Sequence, residues 1–352
     1  MFKPRIDHLT VLNRNLGDNA LNLAIRQMLR PYARFKHIEL LNNSFSPRTI
    51  RQIVNSRTLI FGGGGLIHSY GPSGKSWDKT GTMWNMDLQD IRKIKGNIVL
   101  YGVGFNHFWG EPKPIANMGR LFSLLLEKNA LIAFRNDGSL SRFLEAFPEF
   151  AGCGLREIPD PGFFFKARPH QAPRPYMVLQ VAADRQRLRF KDGLDTLLES
   201  VAKICSNISQ DVYLLPHTID DVKLLQDIHW PFPVNIVPLR IKARDTEKMM
   251  AFYAGADFSI TMRGHGQICS IGNGTPNFSI VTHPKVAGFA ESIGMEQYSY
   301  RVEENDEGQL EASFASFYAN LQEIKRKIAV VQEDFQSKID PFNREIAGML
   351  PQ

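Results

Sequence analysis

Short apolar runs alternate with segments of helical pattern along this chain, and the alternation restarts after a proline-rich stretch. Runs such as TLIF at 58–61 and FSIT at 258–261 are typical of buried strands. The stretch at 166–175 carries three prolines among charged and polar residues and has no apolar period, as in a linker. Strand–helix units on both sides of a linker predict an α/β fold of two doubly wound, Rossmann-like domains facing across a cleft.

Length and composition agree with two globular domains. The 352 residues exceed what one core usually supports, and 43% hydrophobic with 22% charged residues is a globular balance. Domain bounds are predicted as follows: N-terminal domain 1–165, linker 166–175, C-terminal domain 176–305 and C-terminal helix 306–352. We expect a cytoplasmic protein, either free or peripheral to the inner face of the cell membrane, because no apolar run reaches about 18 residues and the N-terminus lacks a signal-peptide core.

Cysteine and charge exclude several classes of function. The three cysteines lie far apart and outside any CxxC pattern, so neither a disulfide framework nor a zinc site is predicted. The net charge is +6, and its densest basic cluster is RQRLRFK at 185–191. We interpret that cluster as a solvated face, with contact to an acidic glycan or a membrane surface as alternatives. Aromatic residues do not alternate with the basic ones, so no nucleic-acid partner is expected.

Polar residues follow two consecutive strands near the end of the second half. Arg263 and His265 come directly after the strand at 257–261, and Lys285 follows the strand at 277–281. Ligands of open α/β sheets bind at the carboxyl ends of strands, where helix N-termini also point. Two cations and one titratable imidazole suit an anion with phosphate and carboxylate groups, although Arg-x-His alone is also common as an ordinary surface pair.

These residues carry a family resemblance. RGH at 263–265, TPNFSI at 275–280 and HPKVAGFAESIG at 283–294 together resemble the C-terminal signature of the polysaccharide pyruvyl transferase family. Gly264 and Gly266 depart from it, since many members carry an apolar residue and Ala there. The resemblance implies phosphoenolpyruvate as donor and, as acceptor, a glycan with two neighbouring hydroxyls, free or lipid-linked.

Other segments match the same family. The N-x-G-D motif contains Asn15 and Asp18, and Asp18 is equally well interpreted as a helix cap. Four glycines at 62–65 directly follow a strand and favour a ligand-facing loop over a tight turn. The resemblance places in the acceptor site or cleft the residues Asn15, Asp18, Gly63, Gly64, His68 and His217. For His217 we expect acceptor contact or proton transfer, the alternatives being a cap or a solvent-exposed residue.

The expected chemistry combines these positions. Phosphoenolpyruvate approaches three negative charges because the second pKa of its phosphate is near about 6. Arg135, Arg263 and Lys285 are the predicted donor-binding cations. His265, beside Arg263, is the predicted catalytic general acid that protonates the methylene carbon. We expect no cofactor and no metal, with phosphoenolpyruvate as co-substrate.

Two other functions remain open from the sequence. A GT-B nucleotide-sugar glycosyltransferase would use Arg263 and Lys285 on a diphosphate, with His217 or His265 as base. A glycan- or anion-binding protein without catalysis would bind the donor and release no phosphate.

A single apolar stripe runs from Leu310 to Phe335, with gaps alternating between four and three residues. It predicts a long helix that ends at Pro341. A GT-B-like architecture would have such a helix packing back over both domains, whereas a coiled coil would make the protein an oligomer.

Overall fold

The computed structural model describes residues 3–40, 45–68, 79–108, 116–191, 193–304 and 307–351. The chain forms two compact units, each composed of more than one segment. The first unit comprises Met1–Val11, Asn22–Pro161 and Phe335–Gln352, and the second comprises Leu12–Leu21 and Gly162–Asp334. The units are therefore not contiguous in sequence. Residues 12–21 belong to the second unit although most of the N-terminal half forms the first, and residues 335–352 belong to the first unit although they follow the second.

The first unit is built on a parallel sheet with the order β2-β1-β3-β5-β6-β7, and β4 pairs with β5. Its strands are β1 (Arg5–Thr10), β2 (Arg34–Glu39), β3 (Thr58–Phe61), β4 (Gly64–Ile67), β5 (Asn97–Phe105), β6 (Leu131–Arg135) and β7 (Arg156–Ile158). Its helices are α1 (Leu16–Leu29, which begins in the second unit), α2 (Pro47–Val54), α3 (Leu88–Lys93), α4 (Ala116–Glu127) and α5 (Ser139–Ala146).

The four-glycine run has packing and conformational reasons of its own. A Cβ on Gly62 would lie 2.1 Å from His8 Nε2, and one on Gly65 would lie 2.8 Å from Asn106 Cγ. Gly64 opens β4 with φ at 110°, which side chains rarely tolerate. Gly64 and Gly65 of the predicted ligand-facing loop thus belong to strand β4, and contact of this stretch with a ligand stays a prediction.

The second unit has a parallel sheet with the order β10-β9-β8-β11-β12-β13. Its strands are β8 (Tyr176–Gln180), β9 (Asp211–Leu214), β10 (Val234–Ile236), β11 (Phe258–Thr261), β12 (Asn277–Val281) and β13 (Ser299–Arg301). Its helices are α6 (Gln186–Phe190), α7 (Leu194–Ser206), α8 (Ile219–Asp227), α9 (Thr246–Gly255), α10 (Gly264–Gly272), α11 (Pro284–Ser292) and α12 (Glu307–Ala319).

The last helix, α13 (Leu321–Gly348), contributes its first part to the second unit and its last part to the first. The predicted end at Pro341 is wrong, since the helix continues through it. The proline removes one backbone donor, but the turn that follows is held by its packing. Phe342 packs edge-on against Tyr101, with centroids 5.1 Å apart, and Asn343 Oδ1 accepts a 2.6 Å hydrogen bond from the Tyr101 hydroxyl.

The predicted architecture of two parallel α/β domains with a long C-terminal helix is confirmed. Within the described residues, every helix falls short of the length and apolar content needed to cross a membrane.

Candidate functional site

The second sheet reverses its direction of growth between β8 and β11. From β8 the chain adds β9 and β10 on one side, and from β11 it adds β12 and β13 on the other. The loops that leave β8 and β11 therefore diverge, and the crevice between them is where open α/β sheets bind ligands. Asp184 lies in the first of these loops, and Arg263 lies at the end of the second.

Arg263 precedes the first residue of α10 and is held by a buried carboxylate. Its Nε donates to Asp221 Oδ2 at 3.0 Å, and its Nη2 donates to Asp221 Oδ1 at 2.6 Å. The same carboxylate accepts hydrogen bonds from the backbone N–H groups of Ala183, His217 and Thr218. Burial acts to raise the pKa of Asp221, but the attraction of Arg263 and these hydrogen bonds leave it below its usual value.

Asp184 joins Arg263 to a second buried arginine. Asp184 Oδ1 lies 2.5 Å from Arg263 Nη2, and Asp184 Oδ2 lies 3.0 Å from Arg189 Nη2. Arg189 also donates through Nη1 to Thr282 Oγ1 at 2.9 Å. Burial opposes ionisation of Asp184, yet Arg263 and Arg189 together hold its pKa well below the ordinary value. Unlike Asp221, Asp184 keeps 35% of its side chain exposed, although its Oδ1, which contacts Arg263, is buried.

His265 and Lys285 lie at the N-termini of two neighbouring helices. His265 is in the first turn of α10, and its Nδ1 is 3.5 Å from Asp18 Oδ1. Lys285 is the second residue of α11, where its backbone N–H donates to His283 Nδ1 at 3.1 Å. A Cβ on Gly264 would lie 3.6 Å from Lys285 Cγ, so the lysine stem passes directly beside the Arg-Gly-His segment. The structure thus brings Arg263, His265 and Lys285 together.

The segment Leu12–Leu21 belongs to this unit and is fixed to the loop after β9. Asn15 forms an antiparallel bridge with Thr218, and the backbone N–H of Leu16 donates to the carbonyl of His217 at 2.9 Å. Asn15 Oδ1 also accepts from the backbone N–H of Gly17 at 2.9 Å, so Asn15 provides a capping hydrogen bond at the start of α1.

His217 is fully buried, so the alternative of a solvent-exposed residue is wrong. Its Nε2 lies 2.8 Å from the Tyr253 hydroxyl. Burial, and then the nearby Arg263 charge, lower the pKa of His217 to about 3. The imidazole is therefore neutral at neutral pH, and the backbone N–H of the same residue donates to the Asp221 carboxylate.

The remaining predicted residues lie in the first unit. Arg135 is buried, with its Nε 2.6 Å from Asp137 Oδ2 and its Nη1 3.3 Å from Asp160 Oδ2. Two buried carboxylates therefore compensate its charge, and its role in donor binding stays a prediction. Gly63 directly precedes β4, Gly64 opens it, and His68 is a buried residue just after it.

Asp184, Arg189 and Asp221 were not identified from the sequence. The cluster at 185–191 was interpreted as a solvated face, which is wrong for Arg189 because its guanidinium is buried against Asp184 and Thr282. One available signal was the position of Asp184 just after the first strand of the second half. An acidic residue there, in a loop rich in arginine, marks the carboxyl end of a central strand.

The model of the polysaccharide pyruvyl transferase family matches residues 15–284. The chain belongs to this family. The match includes the segment at Asn15, both arginine–carboxylate clusters and the Arg-Gly-His helix start, and it ends one residue before Lys285. No curated protein sequence matches the chain.

Solved structures with the same fold have low sequence identity to this family member. A putative UDP-N-acetylglucosamine 2-epimerase from Listeria monocytogenes has a TM-score of 0.56 at 12% identity, covering 94% of this chain and 91% of that one. WaaG, a glycosyltransferase involved in lipopolysaccharide biosynthesis, has a TM-score of 0.50 at 11% identity, covering 98% and 99%. These similarities establish the GT-B-like fold.

Replacing Asp221 with Asn tests the role of its carboxylate in the second unit. The change leaves Arg263 buried without its main anionic partner, so the free energy of unfolding should fall by about 3–5 kcal/mol. Chemical denaturation measures this loss. Asp220→Asn, at the exposed neighbouring position, is the control and should change stability little. Equal effects of both changes would contradict the assignment.

His217 predicts a specific loss of stability in acid. Its pKa is about 3 in the folded protein against an ordinary 6.5, so the unfolded chain binds the proton more readily below 6.5. The contribution of His217 is complete above pH 6.5 and declines as the pH falls toward 3, by about 2 kcal/mol between 6.5 and 5.

The variant His217→Gln should therefore show a smaller decrease in unfolding free energy between pH 7 and 5 than the wild type. His229→Gln, at an exposed position, is the control. If the wild type and His217→Gln lose stability in parallel, His217 is not held neutral by burial.

Proposed function

We propose that this family member transfers the pyruvyl group of phosphoenolpyruvate to two hydroxyls of a glycan, forming a ketal and releasing phosphate. The observation that carries the proposal is the cluster of Arg263, His265 and Lys285 at two adjacent helix N-termini beside the switch point of the second sheet. Helix N-termini and fixed cations favour anions, and an imidazole among them can move a proton.

The charges of the cluster favour an anionic donor. Arg189, Arg263 and Lys285 carry three positive charges, while Asp184 and Asp221 carry two negative ones. Asp221 is buried and keeps Arg263 in place, whereas Asp184 is partly exposed. In our proposal an oxygen of the donor replaces Asp184 at Arg263 Nη2, and Asp184 remains paired with Arg189.

The reaction needs a residue that donates one proton and later accepts one. His265 gives a proton to the methylene carbon of the enol, which becomes the methyl group and makes C2 electrophilic. The first sugar hydroxyl forms a bond to C2, and its proton returns to His265. The C2–O bond to phosphate then breaks, the second hydroxyl forms the other ketal bond, and its proton leaves with the phosphate. The residue that donates must therefore also accept, which suits an imidazole.

Replacing His265 and Lys285 separately tests the assignment of roles. His265→Ala should lower kcat by roughly 10²- to 10⁴-fold and retain donor binding, because the imidazole acts on the bond-making step. Lys285→Ala should mainly weaken donor binding, by about tenfold or more, because it removes a charged partner of the anion. Phosphate release measures turnover, and calorimetry measures binding of phosphoenolpyruvate.

Matched controls are His229→Ala and Lys223→Ala, which change the same residue types at exposed positions of the second unit. The acceptor panel should contain galactosides, glucosides and mannosides. A near-normal kcat for His265→Ala would refute the general acid. Turnover of a UDP-sugar but not of phosphoenolpyruvate would identify a nucleotide-sugar glycosyltransferase, and donor binding without phosphate release would identify a binding protein.

Asp184→Asn tests whether this carboxylate competes with the donor. The amide keeps the shape of the side chain and removes the negative charge beside Arg263, which Asp221 still holds. We expect phosphoenolpyruvate to bind several-fold more tightly, measured by calorimetry at low salt, where charge effects are strongest. Weaker binding would mean that Asp184 helps to place Arg263 for the donor instead of competing with it.

A further inference from the structure

The carboxylate of Asp18 faces one nitrogen of His265. Asp18 Oδ1 lies 3.5 Å from His265 Nδ1, and their side chains are 30% and 10% exposed. This distance is that of an ion pair and is longer than a good hydrogen bond. Contacts between catalytic groups are often this long before a substrate is bound, and shorten afterwards.

The neighbouring Gly17 covers the same edge of the imidazole. A Cβ at Gly17 would lie 2.4 Å from His265 Cβ and 2.7 Å from both Cγ and Nδ1. The backbone of Gly17 therefore lies against the Nδ1 side of the ring, beside the Asp18 carboxylate. Nε2 is the nitrogen on the opposite side of the ring.

The segment that carries Asp18 is itself held in the second unit. The Asn15–Thr218 bridge and the hydrogen bond from Leu16 to His217 fix its backbone, and Asn13 Oδ1 accepts a 2.8 Å hydrogen bond from the backbone N–H of Ala243. Because Asn15 already supplies a capping hydrogen bond to α1, the helix has a cap without the Asp18 carboxylate.

We propose that Asp18 is a positioning residue for His265. Its carboxylate keeps the proton of the neutral imidazole on Nδ1 and fixes the orientation of the ring. Nε2 is then the nitrogen that donates the reacting proton and later accepts one. An acidic residue that orients a histidine through the ring nitrogen not used in the chemistry is a general arrangement of acid–base sites. The reaction itself rests on the proposed function, whereas the arrangement of Asp18 and His265 does not.

The other charged groups around His265 do not replace Asp18. Arg263 precedes it by two residues, Lys285 lies across Gly264, and the buried His217 is neutral at neutral pH. The two cations offer no acceptor for Nδ1–H, whereas a carboxylate accepts a charge-assisted hydrogen bond. Asp18 is a carboxylate within ion-pair distance of this imidazole.

The test compares Asp18→Asn with the wild type in two independent measurements. Nitrogen-15 NMR of the histidine rings, assigned with His265→Gln, should show His265 predominantly as the Nδ1–H tautomer at high pH in the wild type, and a mixture in Asp18→Asn. Steady-state kinetics should show kcat reduced roughly ten- to hundredfold, with KM for phosphoenolpyruvate little changed and a shifted pH profile. Asp18→Glu should recover part of kcat.

Controls separate positioning from a general effect on helices. Asp195→Asn removes an exposed carboxylate from the first turn of α7 and should change neither measurement. Gly17→Ala should also disturb the His265 tautomer, because the new Cβ cannot fit beside the ring, whereas Gly348→Ala has open space and should not. An Nε2–H tautomer in the wild type, or an unchanged tautomer in Asp18→Asn, overturns the inference.

The two proposals can fail separately. If phosphoenolpyruvate is not turned over by the wild type, the proposed function is wrong, and the tautomer of His265 still tests Asp18. If turnover is normal in Asp18→Asn, the positioning role is wrong, and the function stands.

Discussion

The buried pair of Asp221 and Arg263 determines the arrangement of the second unit's carboxyl edge. One carboxylate receives hydrogen bonds from the loop after β8, from the loop after β9 and from the guanidinium that follows β11. Taking two charges out of water is costly, and attraction compensates only where the remaining hydrogen-bonding positions are filled. At Asp221 these positions are filled by backbone N–H groups of the loops after β8 and β9. The pair therefore fixes the relative position of the ends of β8, β9 and β11, around which the site lies.

A comparison of the two units explains why the second is the better candidate for anion binding. Each unit holds a strand-end arginine between two carboxylates: Arg135 in the first and Arg263 in the second. Around Arg135 both carboxylates are sealed, at 2% and 0% exposure. Around Arg263 one of them, Asp184, is 35% exposed, although its Oδ1, the oxygen beside Arg263, is buried. The arginine of the first unit is therefore enclosed with both of its partners, whereas one partner of the second unit's arginine is partly open to solvent.

The sequence predicts the local elements well because strands and helices depend on local periodicity. The strand at 58–61 and the placement of His265 and Lys285 just after strands β11 and β12 both follow from short stretches. Asp221 could not be found in this way, because its partner Arg263 is 42 residues away in the sequence. A polar residue at a strand end has the same local pattern whether it caps a helix or pairs with a distant arginine. Pro341 was misjudged for a related reason: its helix continues because of packing against Tyr101, which local propensity cannot express.

The segment Leu12–Leu21 lies next to His265 in space although it is distant from it in sequence. It follows the first strand of the first unit, yet its backbone is bonded to the loop after β9 in the second. Residues 162–334 alone would contain Arg263, His265 and Lys285 but would lack Gly17 and Asp18, which cover one edge of the imidazole. The surroundings of His265 therefore need residues 12–21 as well as residues 162–334, which together form one compact unit. Because Gly17 lies against the imidazole and Asp18 lies within ion-pair distance of it, the surroundings of His265 depend on docking of residues 12–21 to the loop after β9.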